Sequence, residues 1–207
     1  VETPKGADSL VTTKKNPRTA DAKPNTGFPR LETERLILRQ ITADDTEAIF
    51  RLFSDGKVVR YLDFPALKQR GEAKAIVAWC NMIWREGSGL RWGIVRKGEE
   101  SIIGTRGFHN WVQRDFRADI GYDLAPRYWG AGLMRETLAS VIEYGFDEMG
   151  LHRMQAMADP RNERSQQLLK RLGFTREGTL HEWRFYKGSF WTEMCYSLLQ
   201  HNTDTPR

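Results

Sequence analysis

The chain has 207 residues, the length of one domain with room for a sizeable core. Its formal net charge of +5 divides into +3 over residues 1–30 and +2 over 31–207, so the folding part is nearly neutral, which argues against a dedicated, strongly basic nucleic-acid surface. No apolar run reaches the length of a membrane span and no signal-like apolar segment opens the chain, so the expected location is cytoplasmic.

Residues 1–29 are rich in Thr, Lys, Pro, Asn and Ala without periodicity and read as a disordered basic arm. Residues 30–200 read as the single domain and 201–207 as a tail. A first strand is expected over 35–40. Thr42 then caps a helix that turns Ala48, Ile49, Leu52 and Phe53 inward and stops near Gly56. A short helix is expected around 57–62. A long one follows over 67–86, with Ile76, Trp79, Cys80, Ile83 and Trp84 at three- and four-residue spacing. Its aromatic stripe reads as core and cleft wall rather than a cofactor box. Strands at 90–96 and 101–108 flank Lys97-Gly98-Glu99-Glu100 as a hairpin, and 111–116 loops into the next strand.

That next strand is the centre of the pattern. Ala118, Ile120, Tyr122 and Leu124 alternate with Asp119, Gly121 and Asp123, which is strand periodicity. Pro126 ends the pairing, Gly130 and Gly132 follow, and from Leu133 the apolar spacing becomes helical through Leu138, Val141, Ile142 and Gly145. A helix expected over 133–149 leads to a strand at 152–158, which Asp159-Pro160-Arg161-Asn162 breaks. A short helix over 163–172 ends at Gly173, and a last hairpin pairs 175–185 with 190–199. The order predicts an α/β (α+β) domain with a mixed, mostly antiparallel sheet of about seven strands flanked by helices. Cys80 and Cys195, 115 positions apart and without metal spacing, read as reduced thiols, with a single disulfide as the alternative. The four His are dispersed, so no metal is expected.

A strand, glycine turn and helix suit a phosphate, because a helix N-terminus presents unpaired N–H groups and glycines let an anion approach them. By itself Gly-x-Gly fits an ordinary strand–helix turn equally well. A dinucleotide fingerprint needs a third glycine where Arg135 stands, and no Gly-Lys-Ser/Thr follows for a P-loop.

Three further stretches give the turn its context. Trp129-Gly130-Ala131-Gly132-Leu133-Met134 resembles the pyrophosphate loop of the GNAT acyl-CoA N-acyltransferases. The longer run from Ile120-Gly121-Tyr122 through Pro126-Arg127-Tyr128-Trp129 to Gly132 resembles the branch that acetylates N-terminal alanine of ribosomal proteins. Asn162-Glu163-Arg164-Ser165 with Leu172-Gly173-Phe174 is similar to a second segment of that branch, and Leu31 to Arg39 to its first strand. The resemblance spans roughly 31–199 in the correct order. It departs at Trp129 and Met134; Trp is usual in this branch, and Met134 would tighten the anion site.

The resemblance implies a fold in which the central strand and its neighbour splay apart to admit pantetheine. Backbone groups near Leu124 would bond it, and the amides of Trp129, Gly130, Ala131, Gly132, Leu133, Met134 and Arg135 would hold the pyrophosphate of acetyl-CoA. The Asn162 side chain would bond pantetheine; its alternative is a turn residue bonding its own loop. The implied reaction is attack of a neutral primary amine on the thioester, with a strand amide near Tyr122–Leu124 as oxyanion donor. At pH 7 roughly one α-amine in seven is neutral, against about one lysine in 2,500, so a protein N-terminus asks less of a base. Asp119, where the branch usually has Glu, is the candidate base, through a water. Its alternative is a solvated charge or a partner for Arg117, and burial would have to raise its pKa. Ser165 matches the position assigned to protonating the departing thiolate; its alternative is a first-turn backbone bond. His109 is an alternative base, or else a hydrogen-bonded strand end. His152 and His181 read as structural.

The expected partner is an amine acceptor, either a protein N-terminus or a small molecule such as a polyamine or an antibiotic. No membrane is expected, and assembly as a homodimer stays open. Two rival classes are a CoA-binding sensor without catalysis and a ribosome- or RNA-binding module using the arm.

Overall fold

In a computed structural model, described over residues 27–202, the periodicity of the central strand settles the architecture. The expected arm for residues 1–26, and the tail from 203, lie outside the described residues. The elements are β1 (Leu31–Glu32), β2 (Leu36–Gln40), α1 (Thr46–Ser54), α2 (Arg70–Arg85), β3 (Leu90–Arg96), β4 (Ile102–Val112), β5 (Arg117–Leu124), α3 (Leu133–Asp147), β6 (Arg153–Ala158), α4 (Glu163–Arg171), β7 (Thr175–Tyr186) and β8 (Ser189–Leu199). They form one sheet in the order β1-β2-β3-β4-β5-β6-β8-β7. Neighbours are antiparallel except β5 and β6, whose connection runs through α3. The sheet therefore has eight strands rather than about seven. The extra one, β1, is two residues pairing Leu31 with Leu38, too short to carry a period.

Strand alternation supplies two cores. Leu36, Leu38, Trp92, Ile94, Phe108 and Ile120 face α3 and α4 and meet Leu138, Val141, Phe146 and Leu169. On the other face Ile41, Val95 and Ile102 meet Ile49, Phe53, Val77 and Cys80 of α1 and α2. Phe28 and Pro29, expected in the arm, are docked instead. The Phe28 ring packs edge-on against Trp84 and Trp92, and Trp92 Nε1 donates to the Pro29 carbonyl over 2.7 Å. A buried indole N–H needs an acceptor, and Pro29 is the one within reach.

The local starts and stops follow side-chain chemistry. The helix expected from Thr42 opens as a 3-10 turn over Ala43–Asp45, where Asp45 accepts the Thr42 amide (2.8 Å) and both terminal nitrogens of Arg39 (2.8 Å each). The expected helix at 57–62 is a single 3-10 turn, Val59–Tyr61. α2 begins three residues later than expected, because Glu72 accepts the amides of Lys68 (2.7 Å) and Gln69 (2.8 Å) and so fixes the first turn at Arg70. Cys80 and Cys195 are both free thiols, and burial pushes the Cys80 thiol up to about 11. Among the described residues no helix is long and apolar enough to cross a membrane.

The closest backbone approach a side chain would meet lies between β4 and β3. A Cβ added at Gly107 would stand 2.1 Å from the Leu90 carbonyl oxygen and 2.6 Å from Arg91 Cα, both backbone atoms that cannot swing aside. Gly107→Ala should therefore cost about 3 kcal/mol. In a domain of this size that lowers the melting temperature by roughly 6–12 °C in a thermal scan.

Candidate functional site

β5 and β6 pair over three residues only, Arg117↔Arg153, Ala118↔Met154 and Asp119↔Gln155. β5 continues through Leu124 bonded to β4, and β6 continues through Ala158 bonded to β8. Between Ile120–Leu124 and Ala156–Ala158 the two strands no longer satisfy one another. The Ala125 amide bonds the Ile103 carbonyl on the β4 side (2.9 Å), so by strand alternation the amides of Tyr122 and Leu124 face the gap. Of the backbone groups near Leu124 expected to bond a ligand, its carbonyl accepts from Trp129 Nε1 (2.7 Å), and its amide is the group left for one.

The gap leads to the glycine loop. A 3-10 turn over Pro126–Tyr128 delivers the chain to Gly130 (φ 79°) and Gly132 (φ 76°), the residue before α3. Left-handed backbone at both points turns the following amides outward. The first amide to close a helical bond is that of Glu136, onto Gly132 (3.1 Å); those of Gly130 through Arg135 have no backbone acceptor, whereas the Trp129 amide, expected to join them, bonds the Pro126 carbonyl (3.1 Å). Gly130, Ala131 and Gly132 are exposed, Leu133 is buried and Met134 packs on the core. The loop is braced from behind. Arg35 donates to the Ala131 carbonyl (3.0 Å) and pairs with Glu136 (2.7 Å), while Arg164 lies 5.0 Å from the centre of the Trp129 ring. Free amides at the positive end of a fifteen-residue helix fit linked phosphates.

Asn162 caps α4, its Oδ1 accepting the Ser165 amide over 3.2 Å. That is the turn role, carried by one atom, and it leaves Nδ2 for a ligand. Ser165 makes a contact that sequence reasoning missed: its Oγ lies 2.7 Å from the Tyr122 hydroxyl. Alternation marked Tyr122 as an inward-facing residue of the central strand, but no sequence rule names a partner 43 positions away.

Asp119 occupies the opposite face, so the two expected catalytic residues do not touch. It is 8% exposed; Oδ2 accepts from Asn110 Nδ2 (2.8 Å), and Oδ1 is buried with no hydrogen-bond partner. Asn110 reaches it because the β4–β5 register shifts after His109 and Asn110 turns to φ 50°. Arg117, its alternative partner, pairs with Asp115 (3.6 Å). His109 is the cross-strand neighbour of Asp119, and its ring lies over Gly121, 3.3 Å from where a Cβ would stand. Burial, with the nearby Arg91 guanidinium, holds the imidazole below its usual value against the opposing pull of Asp119, so it is neutral at pH 7. Beside it Arg91 is ion-paired with Asp123, and Thr105 Oγ1 donates to Asp123 Oδ2 (3.2 Å).

The 57–67 segment and the β7–β8 hairpin close around this face. Arg184 bridges Asp63 (3.8 Å) and buried Glu193 (3.7 Å), and burial raises the Glu193 carboxyl. Lys187 Nζ donates to the carbonyls of Val59 (2.7 Å) and Arg60 (3.4 Å), and the Tyr61 hydroxyl donates to the Arg161 carbonyl (3.1 Å).

Residues 35–175 match the model of the acetyltransferase (GNAT) domain family. The chain is 39% identical to an uncharacterized N-acetyltransferase of Bacillus subtilis, over 84% of this chain and 98% of that one. It is 30% identical to the [ribosomal protein uS5]-alanine N-acetyltransferase of Escherichia coli, over 86% and 93% respectively. A ribosomal L7/L12 alpha-N-protein acetyltransferase, solved in complex with coenzyme A, shares the fold with a TM-score of 0.76. The identity there is 19%, over 83% of this chain and 98% of that one.

The buried pair on the α1 and α2 face makes a direct prediction. In an NMR titration the His109 imidazole should have a midpoint below the ordinary 6.5, and Asp119→Asn should move it lower still, because the carboxylate favours the imidazolium. An upward move would show that Asp119 is not the charge His109 senses.

Proposed function

Because the chain belongs to the GNAT acetyltransferase family and is an acetyl-CoA-dependent N-acetyltransferase, we propose that its acceptor is the α-amine of a protein N-terminus, an N-terminal alanine of a ribosomal protein foremost. The observation that carries this choice is the similarity, along 86% of the chain, to a relative named for that reaction. The chemistry of the face that carries Asp119 supports it. Asp119 offers one buried oxygen without a partner, an acceptor for a proton from an amine that is already partly neutral at pH 7.

Bound acetyl-CoA supplies an activated acyl carbon and a thiol leaving group. The amides of Gly130 through Arg135 would grip its linked phosphates, with Asn162 Nδ2 and the Leu124 amide along the pantetheine arm. The Tyr122 amide, facing the gap, would stabilise the negative charge that develops on the acyl oxygen. Asp119 would take the amine proton, directly or through a water, with neutral His109 beside it as a second acceptor. Ser165 would return a proton to the sulfur from the other side of the sheet. A small amine, a polyamine or an amine-bearing antibiotic is the alternative acceptor; a sensor that binds CoA without turnover is the rival outside catalysis.

Thiol release from acetyl-CoA, followed with a panel of Ala-initiated peptides, spermidine and aminoglycosides, separates these readings. The peptides should exceed the other amines by tenfold or more in kcat/KM. Faster polyamine or aminoglycoside turnover would overturn the acceptor assignment, and CoA binding without turnover of any amine would favour the sensor. With the preferred acceptor, Asp119→Asn should lose about 10²–10⁴-fold in kcat/KM. Unchanged turnover would remove Asp119 from the reaction. Gly132→Val places a branched side chain at φ 76° on the loop, and should raise the acetyl-CoA KM roughly tenfold with kcat retained.

A further inference from the structure

Ser165 cannot act as an acid by itself. A serine hydroxyl is a far weaker acid than a thiol, whose reference pKa is about 8.5, and the alkoxide left behind would take the proton straight back. A serine passes a proton on only if it receives another in the same event. The Tyr122 hydroxyl, 2.7 Å away, is the group bonded to Ser165 Oγ, and either oxygen can be the donor in the free protein. The Ser165 main chain is fixed independently, through its amide on Asn162, so the side-chain oxygen is left to serve Tyr122 and the gap.

The surroundings of Tyr122 suit a transient negative charge. Its cross-strand neighbour is Arg106, which has no exposed surface and donates to the Thr137 carbonyl (3.0 Å), while its Nε and Nη2 meet no partner. Two buried guanidinium nitrogens without acceptors are costly, and an anion beside them offsets part of that cost. Burial pushes the Tyr122 phenol up to about 12, while Ser165 and Arg106 pull it down and Asp123 and Tyr196 push it up. Among the described residues Arg106 is the cation whose charge favours the phenolate; burial and Arg91 pull its own pKa down, but a guanidinium stays protonated in proteins.

We propose that Tyr122 and Ser165 form a two-step proton relay to the departing sulfur, with the buried Arg106 cation beside the phenol as its counter-charge. As the carbon–sulfur bond breaks, Ser165 gives its hydroxyl proton to sulfur and its Oγ takes the Tyr122 proton. The phenolate recovers a proton from solvent, matching the one the amine sheds when its carbon–nitrogen bond forms. No electron-pair acceptor beyond the sulfur is required. Tyr122 acts through Ser165 and is a positioning residue. The inference rests on the acetyl-transfer reading and extends it to a residue that reading does not need.

Two measurements test it. In the free protein, a tyrosine ¹³Cζ resonance identified by its loss in Tyr122→Phe should shift in Ser165→Ala; an unmoved resonance means the hydroxyl pair does not exist. With acetyl-CoA and the fastest amine of the panel, Tyr122→Phe and Ser165→Ala should each lower kcat about 10²-fold with the acetyl-CoA KM within twofold. The double variant should be no slower than either single one, as expected for groups that act as a unit. The wild-type solvent isotope effect should fall in both single variants. Phenylalanine keeps the ring, so a merely structural tyrosine would leave kcat and the isotope effect unchanged. If Ser165→Ala is impaired while Tyr122→Phe is not, the relay is wrong and the serine assignment stands. If neither is impaired, both fall. If the wild type turns over no amine, the enzymatic reading itself falls and takes the relay with it.

Discussion

The interaction on which the molecule depends is one that stops being made. Over Arg117–Asp119 the central strand is parallel-paired to β6, and from Ile120 onward it is not. Backbone groups in the middle of a sheet normally find partners, because unpaired polar groups away from water are expensive. Here an edge is opened at the sheet centre, flanked on both sides by intact ladders that hold it open. The gap is rigid for the same reason it is unsatisfied: β4 and β8 fix the two strands independently.

This arrangement lets the sheet act as a partition. On the α3 and α4 side stand the glycine loop, Asn162, Ser165, Tyr122 and Arg106; on the α1 and α2 side stand Asp119, Asn110, His109, Asp63 and Glu193. A group that crosses the gap meets proton acceptors on one side and hydroxyl donors on the other. The two sets have no need to touch, and a base and an acid kept apart do not neutralise each other. Strand alternation achieves the division at no extra cost, since neighbouring residues of β5 already point to opposite faces.

What the sequence disclosed follows from the range of the forces concerned. The central strand, the glycine loop and α3 are local: the period changes from two to 3.6 within a few residues, and Pro126, Gly130 and Gly132 mark the change. Asn162 was legible as a turn-former for the same reason, and the structure adds that its oxygen is spent on the Ser165 amide. β1 was illegible because two residues have no period, and Phe28 because one aromatic in a polar stretch does not announce its pocket. The Asn110 contact depends on a register shift, and the Tyr122–Ser165 contact on how far α4 lies from β5. Neither distance is written in spacing. Arg106 left only the trace of a charge inside a strand, which sequence reasoning did not single out, because its meaning depends on neighbours from α3 and β5.

The ties between the 57–67 segment and the far side of the molecule have a consequence for traffic. Lys187 holds two carbonyls there, and Tyr61 of the same stretch donates to the carbonyl of Arg161. At a net contribution of about 1 kcal/mol each, releasing them together costs roughly 3 kcal/mol, so a conformation with this stretch detached is populated in under about one molecule in a hundred. An acceptor that reaches the gap only with this stretch displaced forfeits about a hundredfold of its apparent affinity, and one that fits beside it does not.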